Sequence, residues 1–441
     1  MPLNNPDNNN KKATSMSTLK RVHTTLALGT LCSISPTLLA QGFIEDSKAT
    51  LTSRNYYFDR DYKGDSAQSA TREWAQGFIL RFTSGYTPGT VGFGLDAQGL
   101  LGLKLDSSPD RTGTGLLSYN PVTRQPNDSY SELGLTGKVK VSKTELQGGT
   151  LAPNLPILFA SPARLLPQTF RGAQLKSQDI DNLTLNAGWL DRMNQRDSTN
   201  YQKITLASPN RRFNGAAESD SFSFAGGDYK WSDALTLKYY HAELADIYRQ
   251  DFVGFIDNRP LGPGRVKTDV RYHISGEDGP AKAGKVDNRT FGVMSTYSLG
   301  AHSLGLGYMQ LSGDTAMPYI AGSEPMVVSE GALSSEFLNP KERTWQVRYD
   351  YDFAALAVPG LKGMLRYLDA SHIELPSALG GSDRSESEKD IELSYVVQSG
   401  TFKNVAFRLR HAWYRNDFAP TASFRDDNEL RVNIDYTLAL W

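Results

Sequence analysis

The chain has 441 residues, 39% of them hydrophobic, and a formal net charge of −1. That balance leaves no basic excess of the kind nucleic-acid binding needs. Apart from the N-terminus no run of 18 apolar residues occurs. This excludes a spanning helix but not a membrane barrel, whose strands present only alternate residues to lipid.

Lys20 and Arg21 precede an apolar stretch, Thr25 to Ala40, that closes as SPTLLA before Gln41. The basic, apolar, small order predicts a secretory signal peptide over residues 1–40, cleaved after Ala40. A buried N-terminal helix is the alternative. The polar segment before Met16 leaves Met1 and Met16 as rival start codons. The only cysteine, Cys32, lies inside this signal. Residues 41–441 therefore hold no disulfide, thiol nucleophile or cysteine metal site, and they read as a single domain.

Along this domain, short alternating segments recur. In the first hairpin, Arg54, Arg60 and Arg72 stand out, although Arg72 fits the alternation less well. Asp61–Ser69, Asp106–Ser129, Arg192–Glu218 and Gly276–Val286 read as polar loops. The stretch Leu146–Leu175 is different, being too apolar and proline-rich for a solvent loop. Its leucines need burial and its prolines resist joining a ladder. It predicts a constriction loop folded into a lumen, with Phe159, Ser161, Arg164 and Phe170 as candidate eyelet residues. A surface lid or an interface loop is the alternative.

The C-terminal strands alternate most clearly. Leu430, Val432, Ile434, Tyr436 and Leu438 share one parity, while Arg431, Asn433 and Asp435 share the other. Strand side chains point to opposite faces in turn. Arg348, Arg366, Arg408, Arg410 and Arg431 thus fall on polar, inward positions. Short links alternate with long ones, the pattern of an outer-membrane barrel. With both termini on the periplasmic side the strand number is even. We count eighteen, from one near Ala49 to one near Asn428; the tenth, from Tyr248, rests partly on parity.

The expectation is an all-β fold, an 18-stranded antiparallel transmembrane β-barrel with an inward-folded loop. In a closed barrel the last strand meets the first, so the two arginine groups form one column of inward cations. Guanidinium offers a planar fork for carboxylates and keeps its charge. Pairing with inward acids such as Asp350 and Asp435, merely filling a polar lumen, is the competing reading. Arg408 and Arg410, with no acid between them, fit that reading least. No HExxH, GxSxG or P-loop spacing occurs, so neither an enzyme, a metal site nor a cofactor is implied.

The segments GFIEDS (Gly42–Ser47), RNYYFDRD (Arg54–Asp61), WAQGF (Trp74–Phe78), RLLPQTFRGAQL (Arg164–Leu175), AELADIYRQ (Ala242–Gln250) and YVVQSG (Tyr395–Gly400) resemble the OprD family, the outer-membrane carboxylate channels. The resemblance implies one pore per chain in the outer membrane of a Gram-negative bacterium. It implies passive uptake of small organic anions past a loop eyelet and a basic ladder. The ladder falls on Arg54, Arg60, Arg72, Arg366, Arg408, Arg410 and Arg431, with Arg348 added from the alternation, and the eyelet arginine on Arg164. LLPQTFRGAQL with DIDNLTLNAG looks closer to the members that take aromatic or cyclic acids. A channel for basic amino acids or peptides, and a general diffusion channel, stay open. His372 stands where members often carry a ladder lysine, which would make uptake pH-sensitive. Besides organic anions the implied partner is outer-membrane lipid; homotrimer and monomer both stay open.

Overall fold

In the computed structural model, residues 42–64 and 68–441 are described. The signal peptide expected over residues 1–40 lies outside them. The wall strands are β1 (Lys48–Tyr62), β2 (Ala70–Thr83), β3 (Val91–Asp106), β4 (Ser129–Val141), β5 (Thr144–Leu151), β6 (Thr169–Ser177), β7 (Leu183–Asn194), β8 (Phe222–Lys230) and β9 (Leu235–Leu244). They continue as β10 (Tyr248–Leu261), β11 (Gly264–Glu277), β12 (Asp287–Leu299), β13 (His302–Gly313), β14 (Arg343–Asp352), β15 (Leu361–Ile373), β16 (Arg384–Val396), β17 (Ala406–Asn416) and β18 (Asp427–Ala439). Each pairs antiparallel with its neighbours. β18 closes the sheet on β1, with Thr50 opposite Ala439 and Tyr62 opposite Asp427. Closure leaves no free edge, which a barrel needs in lipid. The eighteen expected strands are all present, including the tenth from Tyr248.

Side-chain placement follows the period of two. Trp345, Val347, Leu365, Tyr367, Leu393, Phe407 and Leu409 are exposed on the outer wall. Thr344, Arg366, Glu388, Asp390, Glu429 and Arg431 are buried inside. The interior is thus a charged lumen, not the apolar core of a soluble sandwich.

Apolar burial occurs instead where loops fold back against the inner wall. Leu155, Ile157 and Leu158 pack with Phe170, Phe222 and Tyr240. Leu165 and Leu166 pack with Tyr56, Phe58 and Ala75, together with Leu116 and Leu117. Residues 152–168 of the inserted stretch are therefore a lumen loop, as the sequence implies, whereas its ends, Leu146–Leu151 and Thr169–Leu175, belong to the wall strands β5 and β6, with Leu146 and Leu175 exposed outside. Its prolines do not keep it wholly free of pairing, since Asn154–Leu155 and Leu158–Phe159 form a two-rung hairpin around Pro156. Two segments read as polar loops also turn inward. Residues 107–128 bury Leu116 and Leu117, and residues 195–217 bury Ile204 and Leu206. Their few apolar residues are diluted among polar ones, so composition hid them.

The entry to the inserted loop depends on Gly149. Its φ is +132°, and a Cβ there would come within 2.1 Å of the Leu135 carbonyl oxygen. Gly148 beside it has nothing within 4 Å. Gly149→Ala is expected to disrupt the β4–β5 pairing at a cost of several kcal/mol, on the order of 1–3 from backbone strain alone. Gly148→Ala is expected to fold normally. Heat-shifted mobility of the folded barrel on gels checks this; equal behaviour of the two variants would contradict the assignment.

Candidate permeation pathway

The sequence RNYYFDR puts Arg54, Tyr56, Phe58 and Arg60 at alternate positions of β1, all facing inward. Tyr56 and Phe58 stack with ring centroids 6.3 Å apart. This pair forms a flat apolar spine on which cations rest. The Arg431, Arg164 and Arg60 guanidiniums lie 4.6, 5.3 and 5.7 Å from the Phe58 ring centre, and Arg410 lies 6.0 Å from that of Tyr56. Each such contact contributes about 0.5–2 kcal/mol and orients a group that would otherwise swing.

A cavity of about 650 Å³ runs past this spine. Arg54, Arg60, Arg348, Arg366, Arg408, Arg410 and Arg431 line it from the wall, and Ser161 and Arg164 line it from the inserted loop. Seven of the eight arginines expected in the ladder are thereby brought together. Arg72 is not. It shares the outward parity of Trp74 on β2 and pairs with Asp59 at 3.0 Å on the outer face. Two of the expected eyelet residues also lie elsewhere. Phe170 is fully buried on β6 in the apolar cluster behind the loop, and Phe159 sits in the small hairpin, bridged to Glu324. Phe170 is buried, whereas Phe159 is half-buried beside the segment that carries Glu324. His372 also leaves the lumen. A register shift after Ala370 and a φ of +60° put it at the outer end of β15, 3.6 Å from Asp383.

Most of the wall arginines are neutralised. Arg54 meets Asp435 at 3.0 Å, Arg348 meets Asp350 at 2.8 Å, and Arg366 meets the fully buried Asp390 at 2.6 Å. Arg60 and Arg431 share Glu429, and Arg60 also reaches Asp427 at 3.4 Å. Arg408 approaches Glu392 at 3.4 Å across the β16–β17 pair, so the separation of Arg408 from acids seen along its own strand does not hold across strands. Three guanidiniums lining the cavity have no carboxylate within 4 Å among the described residues: Arg164, Arg196 and Arg410. Arg410 donates to the Tyr56 hydroxyl at 3.0 Å and to Asn433 Oδ1 at 2.8 Å, while its Nε is buried without a partner. Arg164 donates to the Thr114 carbonyl at 3.0 Å. Burial, and next the Arg196 charge, pulls the Arg164 guanidinium well below its usual range.

The paired arginines have a second task. A long inward segment, residues 314–342, lies against the inserted loop, its Glu324 amide donating to the Phe159 carbonyl at 3.0 Å. Arg366 donates to the Gly331 carbonyl at 2.6 Å and the Glu330 carbonyl at 3.2 Å, and Arg431 donates to the Leu333 carbonyl. Glu388 on β16 accepts from the backbone amides of Leu333, Ser334 and Ser335. Wall and loop are thus joined by charge-assisted hydrogen bonds, roughly twice as strong as neutral ones. Arg54 does the same for the first loop, donating to the Arg164 carbonyl at 2.9 Å.

Several lining residues were not singled out from the sequence: Arg196, Glu324, Glu330 and Glu336, with Tyr56 and Tyr319. All but Tyr56 come from loops, where no periodicity marks a facing direction. Tyr56 was marked by its inward parity between Arg54 and Arg60.

A closed barrel with a charged passage narrowed by its own loops defines a diffusion channel of the outer membrane. The sequence matches the family described as outer membrane porin, OprD family, over residues 41–440, and the chain belongs to that family. It is 38% identical over 403 residues to the porin-like protein GalP of Pseudomonas putida, covering 91% of this chain and 94% of that one. Among solved structures, OccAB2 of Acinetobacter baumannii is 44% identical with a TM-score of 0.86, spanning 91% of this chain and all of that one. Pseudomonas aeruginosa OpdK, whose crystal structure is with vanillate, is 37% identical with a TM-score of 0.83 over the same shares. The family consists of porins, which are channels rather than enzymes.

Paired arginines that anchor a loop and paired arginines that do not make different predictions. Arg366→Gln strands the buried Asp390, at a cost of about 3–5 kcal/mol, and removes two loop anchors. Its single-channel conductance in potassium chloride is expected to rise and become noisier. Arg348→Gln, half-exposed and tied only to Asp350, is expected to change conductance by less than about a fifth, as surface pairs contribute little. A lowered conductance for Arg366→Gln would contradict the anchoring role.

Proposed function

We propose that this porin passively takes up small carboxylate-bearing molecules, which bind transiently to the unpaired guanidiniums of its passage. The observation that carries this reading is the presence of Arg164, Arg196 and Arg410 beside one cavity, none with a carboxylate within 4 Å among the described residues. A buried unpaired cation is costly and is relieved by an entering anion. Weak, successive sites let the anion enter and leave. The paired arginines act mainly on the shape of the passage. In this reading Arg410 and Arg164 are the substrate-contacting members of the ladder and eyelet, and Arg72, Phe159 and Phe170 are not.

Aromatic and cyclic acids are the first class to test. Tyr56, Tyr319 and Phe424 are among the residues lining the cavity, and a relative of 37% identity has a crystal structure with vanillate. A second reading, uptake of basic amino acids, is favoured by Glu324. This carboxylate lines the same cavity, accepts a hydrogen bond from the Ser161 hydroxyl at 3.5 Å, and has no cation within 4 Å among the described residues.

Liposome uptake by the purified barrel separates these readings. Benzoate is expected to enter at lower concentration than arginine or a neutral sugar. Arg410→Gln is expected to weaken benzoate uptake about tenfold or more, the worth of one charge-assisted hydrogen bond, while sugar uptake changes less than about twofold. If sugar and benzoate fall together, the passage is a general one. If arginine enters best, and Glu324→Gln removes that advantage, the second reading holds.

A further inference from the structure

Arg196 is the charged group that this reading leaves unexplained. It comes from the loop after β7 and has no hydrogen bond or ion pair among the described residues. It is not a loose surface side chain. Its neighbour Gln195 donates to the Ala321 carbonyl at 3.3 Å, which ties this loop to the segment 314–342. The same loop is fastened again where Arg212 bonds Glu336 at 2.6 Å and Asn339 Oδ1 at 3.1 Å.

Arg196 and Arg164 converge on one point. A Cβ on Gly115 would lie 3.6 Å from Arg164 Nε and 3.8 Å from Arg196 Nε. Gly115 has a φ of +75° and keeps this niche open. Two guanidiniums so placed repel one another. The carboxylates that act on Arg196, those of Asp197 and Glu324, stand beyond 4 Å. Arg164 is linked in turn to Arg410. Arg410 donates to the Tyr56 hydroxyl, which donates to the Ala163 carbonyl at 3.4 Å, and Arg164 Nη1 donates to that same carbonyl at 3.4 Å. Arg196, Arg164 and Arg410 therefore form a row along one side of the cavity.

The charge balance of the lining then points to the valence of the permeant. Arg54, Arg60, Arg348, Arg366, Arg408 and Arg431 have acids as partners. Glu330 is held by Arg271, and Glu336 by Arg212. Among the described residues, the lining groups without an opposite charge within 4 Å are the three arginines of the row and Glu324. They leave an excess of two positive charges. One carboxylate neutralises half of it.

We propose that Arg196, acting with Arg164 and Arg410, makes the passage prefer permeants with two carboxylates on one small skeleton over the matching monocarboxylates. This rests on the carboxylate reading above and narrows it. One carboxylate sits in the niche between Arg196 and Arg164, and the second reaches Arg410. Tyr56 and the Ala163 carbonyl lie between these sites.

Half-blocking concentrations in single-channel recordings at neutral pH test this, using isophthalate against benzoate and succinate against butyrate. In each pair the dicarboxylate is expected to block at about tenfold lower concentration, since a second charge-assisted contact is worth about that factor. Arg196→Gln is expected to bring both ratios close to one, and Arg196→Lys to keep most of the difference. Equal sensitivity to the members of both pairs in the unmodified channel overturns the proposal without any variant. So does a ratio that survives Arg196→Gln. If the ratios fail but Arg410→Gln still weakens benzoate block, only this inference falls. If Arg410→Gln has no effect on any acid, the carboxylate reading falls with it.

Discussion

The forked guanidinium, bridging wall and loop, is the interaction on which the lumen depends. A barrel of eighteen strands encloses far more space than its inward side chains fill, and two long segments occupy it. Those segments carry backbone groups that need partners once they are withdrawn from water. Arg366, Arg431 and Arg54 donate to their carbonyls, and Glu388 accepts from their amides. Each of these side chains is also charge-paired or buried in the wall. The passage is therefore a gap between rigidly held surfaces and keeps its width.

That arrangement divides one residue type into two roles. An arginine with a carboxylate beside it has little left to offer a passing anion, because its field is already compensated. An arginine without one attracts anions and is itself destabilised until one arrives. Arg366 with Asp390 belongs to the first kind, and Arg410 with a buried, unpartnered Nε belongs to the second. Selectivity then resides in fewer positions than a count of inward arginines suggests. The aromatic pair Tyr56 and Phe58 matters to both kinds, since it fixes the planes of four guanidiniums without neutralising any of them.

The loops contribute as much to the passage as the wall does. Arg164 comes from the segment after β5, Arg196 from the one after β7, and Glu324, Glu330 and Glu336 from the one before β14. These segments brace each other through Gln195, Arg212 and Ser161. A change in any one is felt by the others, so the loops set the chemistry of the passage while the barrel supplies the frame.

The barrel itself was legible in the sequence for a simple reason. A period of two, repeated in every strand, states which side chains meet lipid and which meet the lumen, and an even strand number follows from the placement of the termini. The inward arginines of β1, β14, β15, β17 and β18 were readable by the same rule, and Arg72 failed it because it stands on the outer parity. The apolar, proline-rich stretch before β6 also declared itself, since its leucines had to be buried. Pairing between strands was beyond that rule. Whether Arg408 meets Glu392, or Arg60 meets Glu429, depends on register across the wall, and register is set by closure of the whole sheet. Loop residues such as Arg196 and Glu324 have no period at all. Only the folded barrel, by forcing distant loops into one confined space, decided which charges face each other and which are left for a ligand.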